Sequence, residues 1–73
     1  MKFLPERLRD IRILKGYTVE YVASQLGVTK QAVSKYETGR MIPSSDVLNR
    51  IADFFSLPQS YLTKEEMLPD KRS

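Results

Sequence analysis

Apolar residues recur along this chain at helical spacing, with no stretch of strand alternation between them. Leu4, Leu8 and Ile11 stand at i, i+4 and i+7, the stripe of a helix that buries one side. Ile13 and Leu14 are adjacent, so at most one of them joins that stripe fully. Val22, Ala23 and Leu26 give a second short stripe, and Val33 with Tyr36 a third. Leu48, Ile51, Ala52 and Phe55 repeat at i, i+3, i+4 and i+7, the strongest core pattern in the chain. Breakers fall between these stripes: Gly16, Gly27, Gly39, Pro5, Pro43 and Pro58. The spacing therefore predicts an all-α fold of five short helices, at about 5–15, 19–26, 30–38, a fourth after Pro43, and 58–62. Thr18, Thr29 and Ser44 are the expected N-caps, because a short hydroxyl side chain can accept from a free first-turn N–H. Glu20 and Asp46 fall in first turns, where the helix dipole favours a carboxylate.

The stretch from Ala23 to Glu37 is the most specific. Two helices crossing steeply need a small residue where they meet, which Ala23 provides. Four residues on, the tight turn needs a backbone free to take positive φ, which Gly27 provides. Val33 and Tyr36 can then pack back on the core. At 100° per residue, Lys30, Gln31, Ser34 and Lys35 share an arc of roughly 140° on the opposite side. This is a helix-turn-helix pattern with a polar second helix; the plain alternative is a helical hairpin with a glycine cap.

Composition narrows the chemistry. With 73 residues the chain is one domain, and a chain of this size buries only roughly 60% of its unfolded surface. Residues 1–63 are expected to form that domain, and 64–73 a charged C-terminal tail or linker. Cys and His are both absent, which removes disulfides, thiolate metal sites and the commonest general base. There is no Gly-rich phosphate-cradling loop either, and Glu20, Asp46 and Asp53 are explained as helix-start or surface charges. We therefore expect no enzyme activity, no catalytic residue, no metal and no cofactor. No apolar run approaches the roughly 20 residues of a membrane span, and the start turns charged too soon for a signal peptide. A soluble, cytoplasmic and nucleoid-associated protein with no membrane partner is expected. The net charge of +3 is uneven: residues 1–15 carry five basic and two acidic groups, whereas residues 41–73 carry four basic and five acidic. A polyanion is the partner this suggests; a solvated helix face is the bland alternative.

The residues Leu8, Arg12, Gly16, Val22, Ala23, Leu26, Gly27, Val28, Val33, Tyr36, Glu37, Gly39, Pro43, Leu48, Ala52 and Leu57 together resemble the XRE-type, phage-repressor-like (Cro and lambda-repressor-like) DNA-binding domain. The resemblance covers about residues 4–62. It implies five helices around one small core, the third being the recognition helix, and a transcriptional regulator, expected to be a repressor, that reads double-stranded DNA in the major groove. By the same resemblance Lys30, Gln31, Ser34 and Lys35 match base-contacting positions, with Thr29 near the groove edge. Their chemistry suits the role: Gln pairs bidentately with adenine, Lys donates to guanine, and Ser contacts either. For each lysine alone, phosphate binding or plain solubility is the competing account. Thr18, Thr38, Gly39 (through its backbone N–H) and Arg40 match phosphate-contacting positions, and Ser45 at a helix start could add another. The family often begins its second helix with a phosphate-bonding Gln, where this chain has Val19. Arg12 and Glu37 match a structural ion pair between the first and third helices; the alternative is two unrelated surface charges.

The family resemblance further implies a homodimer on a palindromic site. Phe54, Leu57, Tyr61, Leu62, Met67 and Leu68 are more apolar residues than a short C-terminal end readily buries, so they are expected either to form a dimer contact or to close the monomer core. A second reading keeps the fold and changes the partner: an antitoxin, or the N-terminal domain of a longer regulator, acting mainly through another protein or its own C-terminal domain. Salt separates the two, since DNA binding releases counterions and weakens steeply as salt rises.

Overall fold

The computed structural model describes residues 2–64. It contains five helices and a two-stranded antiparallel sheet, in the order β1 (Lys2–Phe3), α1 (Pro5–Lys15), α2 (Val19–Leu26), α3 (Lys30–Glu37), α4 (Ser45–Phe55), α5 (Gln59–Leu62) and β2 (Thr63–Lys64). No helix of the described residues is long and apolar enough to cross a membrane.

Local chemistry sets the helix ends. Thr18 accepts from the Tyr21 N–H at 3.0 Å, Thr29 from Ala32 at 3.0 Å and Ser44 from Val47 at 3.2 Å. Each cap contributes about 1 kcal/mol by satisfying one orphan donor. Gly27 ends α2 in the left-handed region at φ 71°. A Cβ there would meet nothing closer than Arg50 at 3.7 Å, so the requirement for glycine is one of backbone conformation and not of space. Arg50 reinforces the same turn by donating to the Leu26 carbonyl at 3.2 Å. At the end of α4 a serine, Ser56, takes the left-handed position at φ 56°.

The stripes meet in one core. Leu8, Val22, Leu26, Val33, Ile51 and Leu62 are fully buried, and Ile11, Ala23, Tyr36, Leu48, Ala52 and Phe55 nearly so. Burying each large aliphatic chain is worth about 1.5–3 kcal/mol relative to leaving it exposed. One detail differs from the periodicity: Leu4 precedes α1 in extended conformation and is only half-buried. Ile13 and Leu14, at most one of them expected in the stripe, both face outward. The helices at 30–38 and 58–62 are each shorter by one residue, Thr38 and Pro58 serving as flanking caps.

The sheet is the element that the helical pattern did not predict. Lys2 pairs with Lys64 and Phe3 with Thr63, and the Leu4 N–H donates to the Leu62 carbonyl at 2.8 Å. Phe3 is buried by this pairing. The pairing also takes in Lys64, the first residue of the expected tail.

Candidate nucleic-acid interface

The polar side of α3 is built from its own sequence. Val33 and Tyr36 are buried and Ala32 is packed against the core, which turns Lys30, Gln31, Ser34 and Lys35 outward. All four are exposed, as is Thr29 at the helix start. The Thr29 hydroxyl accepts from Ala32 with a lone pair, so its proton stays free to donate. Thr18 at the start of α2 stands likewise.

The two ends of α3 are fixed to different neighbours. At the C-terminal end Arg12 of α1 grips Glu37 with two parallel bonds, Nε to Oε2 at 2.6 Å and Nη2 to Oε1 at 3.0 Å. A third donor, Nη1, reaches the Tyr17 carbonyl at 2.9 Å. The two side chains are only 14% and 6% exposed. Hydrogen bonding to Glu37 raises the Arg12 pKa above its ordinary value, against the lowering effect of burial. At the N-terminal end Lys30 donates to Glu20 of α2 at 3.3 Å, with both side chains more than half exposed. The Glu20 carboxyl is held below its ordinary pKa, first by a backbone hydrogen bond at its own position and then by Lys30.

The segment after α3 makes internal hydrogen bonds of its own. The Gly39 N–H, expected to face a phosphate, donates to the Tyr36 carbonyl at 3.3 Å. The Thr38 hydroxyl donates to the Ser34 and Lys35 carbonyls at 3.0 and 3.3 Å. Both groups close the helix end, because the last carbonyls of a helix need donors. Arg40 and Ser45 are exposed, and Ser45 occupies the first position of α4, where backbone N–H groups lack intrahelical partners.

The apolar residues of the C-terminal end divide. Leu62 is fully buried within the monomer, so of its two expected roles, dimer contact or closure of the monomer core, it takes the second. Phe54, Leu57 and Tyr61 are partly buried against the same core; Met67 and Leu68 lie outside the described residues. Tyr61 is tied to α1 by Arg7, whose guanidinium donates to its carbonyl at 3.0 Å and lies 5.0 Å from its ring centre. Among the described residues no group of three or more acidic side chains is placed to hold a metal ion.

Glu20 and Arg50 are the residues that one-dimensional reading undervalued. Glu20 was legible only as a helix-start charge, since its partner lies ten residues away across the turn. Arg50 carried no motif, yet it links the end of α2 to α4 while pairing with Asp46 one turn back at 3.0 Å.

Comparison with known proteins agrees with this geometry. The helix-turn-helix family model matches residues 8–62. The SPbeta prophage-derived HTH-type transcriptional regulator YonR of Bacillus subtilis is 34% identical over 59 residues, covering 81% of this chain and 55% of its own length. The HTH-type transcriptional activator BcrR of Enterococcus faecalis is 38% identical over 64 residues, covering 86% of this chain and 31% of its own length. The chain thus spans about half, or less, of these relatives. In fold it matches the P22 c2 repressor, solved in complex with a synthetic operator, with a TM-score of 0.80 at 22% identity over 88% of this chain and 97% of the repressor's.

Proposed function

We propose that this chain, which belongs to the helix-turn-helix family, binds double-stranded DNA sequence-specifically and regulates transcription, with α3 in the major groove. The observation that carries this reading is the outward arc of Lys30, Gln31, Ser34 and Lys35 on a helix whose other side is buried. Gln31 pairs with an adenine edge, Lys30 and Lys35 donate to guanine O6 and N7, and Ser34 and Thr29 supply shorter contacts. Thr18, with its hydroxyl proton free, Arg40 and the start of α4 at Ser45 meet phosphates and fix the register. Thr38 and Gly39 join them only by giving up their internal hydrogen bonds.

The protein acts as a homodimer on a palindromic site, with half-sites one helical turn, roughly 34 Å, apart. Phe54, Leu57 and Tyr61 remain the candidate contacts. Selection of bound duplexes from a random pool tests the whole reading. A palindrome should emerge, and log affinity for it should fall linearly with log salt. Recovery of no common sequence, or an affinity indifferent to salt, would overturn it. Light scattering on the selected duplex tests the dimer: one protomer per full site would sink it.

A further inference from the structure

We infer that Glu20 determines specificity by neutralising Lys30 as a phosphate ligand, so that the lysine reads base edges instead. The inference rests on the DNA-binding reading above. Lys30 opens α3, where a free ammonium would be drawn to the nearest phosphate on any DNA. Glu20 sits on the neighbouring helix with its carboxylate 3.3 Å from that ammonium. The ammonium has three donors, and the carboxylate occupies one. Two are left to meet the O6 and N7 acceptors of a guanine. As a unit the pair carries no net charge, so it displaces no counterion and adds little to sequence-independent attachment. Val19, the first residue of α2, has no polar atom in its side chain with which to bind a phosphate or orient Lys30, which leaves Glu20 as the Lys30 partner on that helix. The carboxyl is ionised in the neutral range, its pKa lying below the ordinary value.

Lysine alone is a flexible point charge that distinguishes bases poorly. A carboxylate 3.3 Å away biases its direction through one exposed hydrogen bond. Glu20 is accordingly a positioning residue, acting through Lys30.

The test uses Glu20→Gln and measures binding as a function of salt on two probes: a random-sequence duplex and the duplex recovered by selection. Freed from its carboxylate, Lys30 should neutralise one more phosphate on random DNA. The slope of log affinity against log salt should then steepen by about 0.9. Affinity for random DNA should rise several-fold, and the ratio of selected to random affinity should fall by a similar factor. In a Lys30→Met background the same Glu20→Gln change should leave the slope where it is. An unchanged slope and ratio in the single variant would overturn the inference. So would an equal steepening in the Lys30→Met background, since Glu20 would then act by its own repulsion of phosphate. Wild-type protein that binds neither probe would refute the DNA-binding reading itself, a result distinct from both of these.

Discussion

Each end of α3 is tied to a neighbouring helix by a carboxylate and a cation, and the two ties differ in kind. Arg12 and Glu37 meet through two short, parallel bonds in a place almost closed to water. Glu20 and Lys30 meet through one longer bond, with both side chains more than half exposed to water. A guanidinium is planar and offers matched donors to a carboxylate, whereas an ammonium offers a single point of charge. Burial then amplifies the difference, because water no longer competes for the inner pair. The lesson is that the same charge chemistry holds the helix in place at one end and stays exchangeable at the other. The helix end that must not move is locked; the end proposed to meet a partner is not.

The largest effect should come from breaking the inner tie. Glu37→Gln leaves a mostly buried guanidinium without its counter-charge and should cost about 3 kcal/mol. Thermal unfolding followed by circular dichroism should show the melting temperature falling by more than about 10 °C. No change in melting temperature would show that the pair contributes nothing. Next, Gln31→Ala should weaken binding to the selected duplex by about 1–3 kcal/mol while sparing random DNA; equal losses on both would remove Gln31 from the reading surface. Arg12→Lys keeps the charge but loses the fork and the bond to Tyr17, and should cost about 1 kcal/mol in chemical denaturation.

The smallest effect is at the outer tie. Glu20→Gln should change melting temperature less than Glu37→Gln or Arg12→Lys. What it does change should vanish in about 1 M salt, where screening extends only about 3 Å, while the Glu37→Gln deficit persists. Acid provides a further check. Because the folded Glu20 pKa is lowered, any stability it contributes is present above the unfolded carboxyl pKa and is lost as pH falls through the folded value. Wild type and Glu20→Gln should therefore converge in acid, and divergence there would contradict the assignment.

The five helices were legible in the sequence because each carries its own stripe, cap and breaker. Thr18, Thr29 and Ser44 cap where their spacing placed them. The two-residue strands were not legible, since two residues cannot display an alternation. Leu62 read equally as a surface contact and a core residue because periodicity ranks apolar positions without saying what covers them; the chain's own fold covers it. Arg12 and Glu37 were legible as a pair through the resemblance, whereas no local rule links Glu20 to Lys30 across a glycine turn. The internal bonds of Thr38 and Gly39 were missed for a related reason. A helix end claims its donors before a ligand can, and that competition is visible only in three dimensions.

The pairing of β1 with β2 bears on the order in which this fold assembles and opens. It joins the two ends of the described chain, so forming it from the unfolded chain closes a far longer loop than any contact between successive helices. By that loop-closure cost, the helices are expected to nucleate locally through α2 and α3 and the strands to add afterwards. In native-state hydrogen exchange the Leu4 amide, bonded to the Leu62 carbonyl, should accordingly exchange through a partial opening that leaves α2 and α3 protected. The clasp between the chain's ends is then the first structure to come undone, and the helix pair at the centre the last.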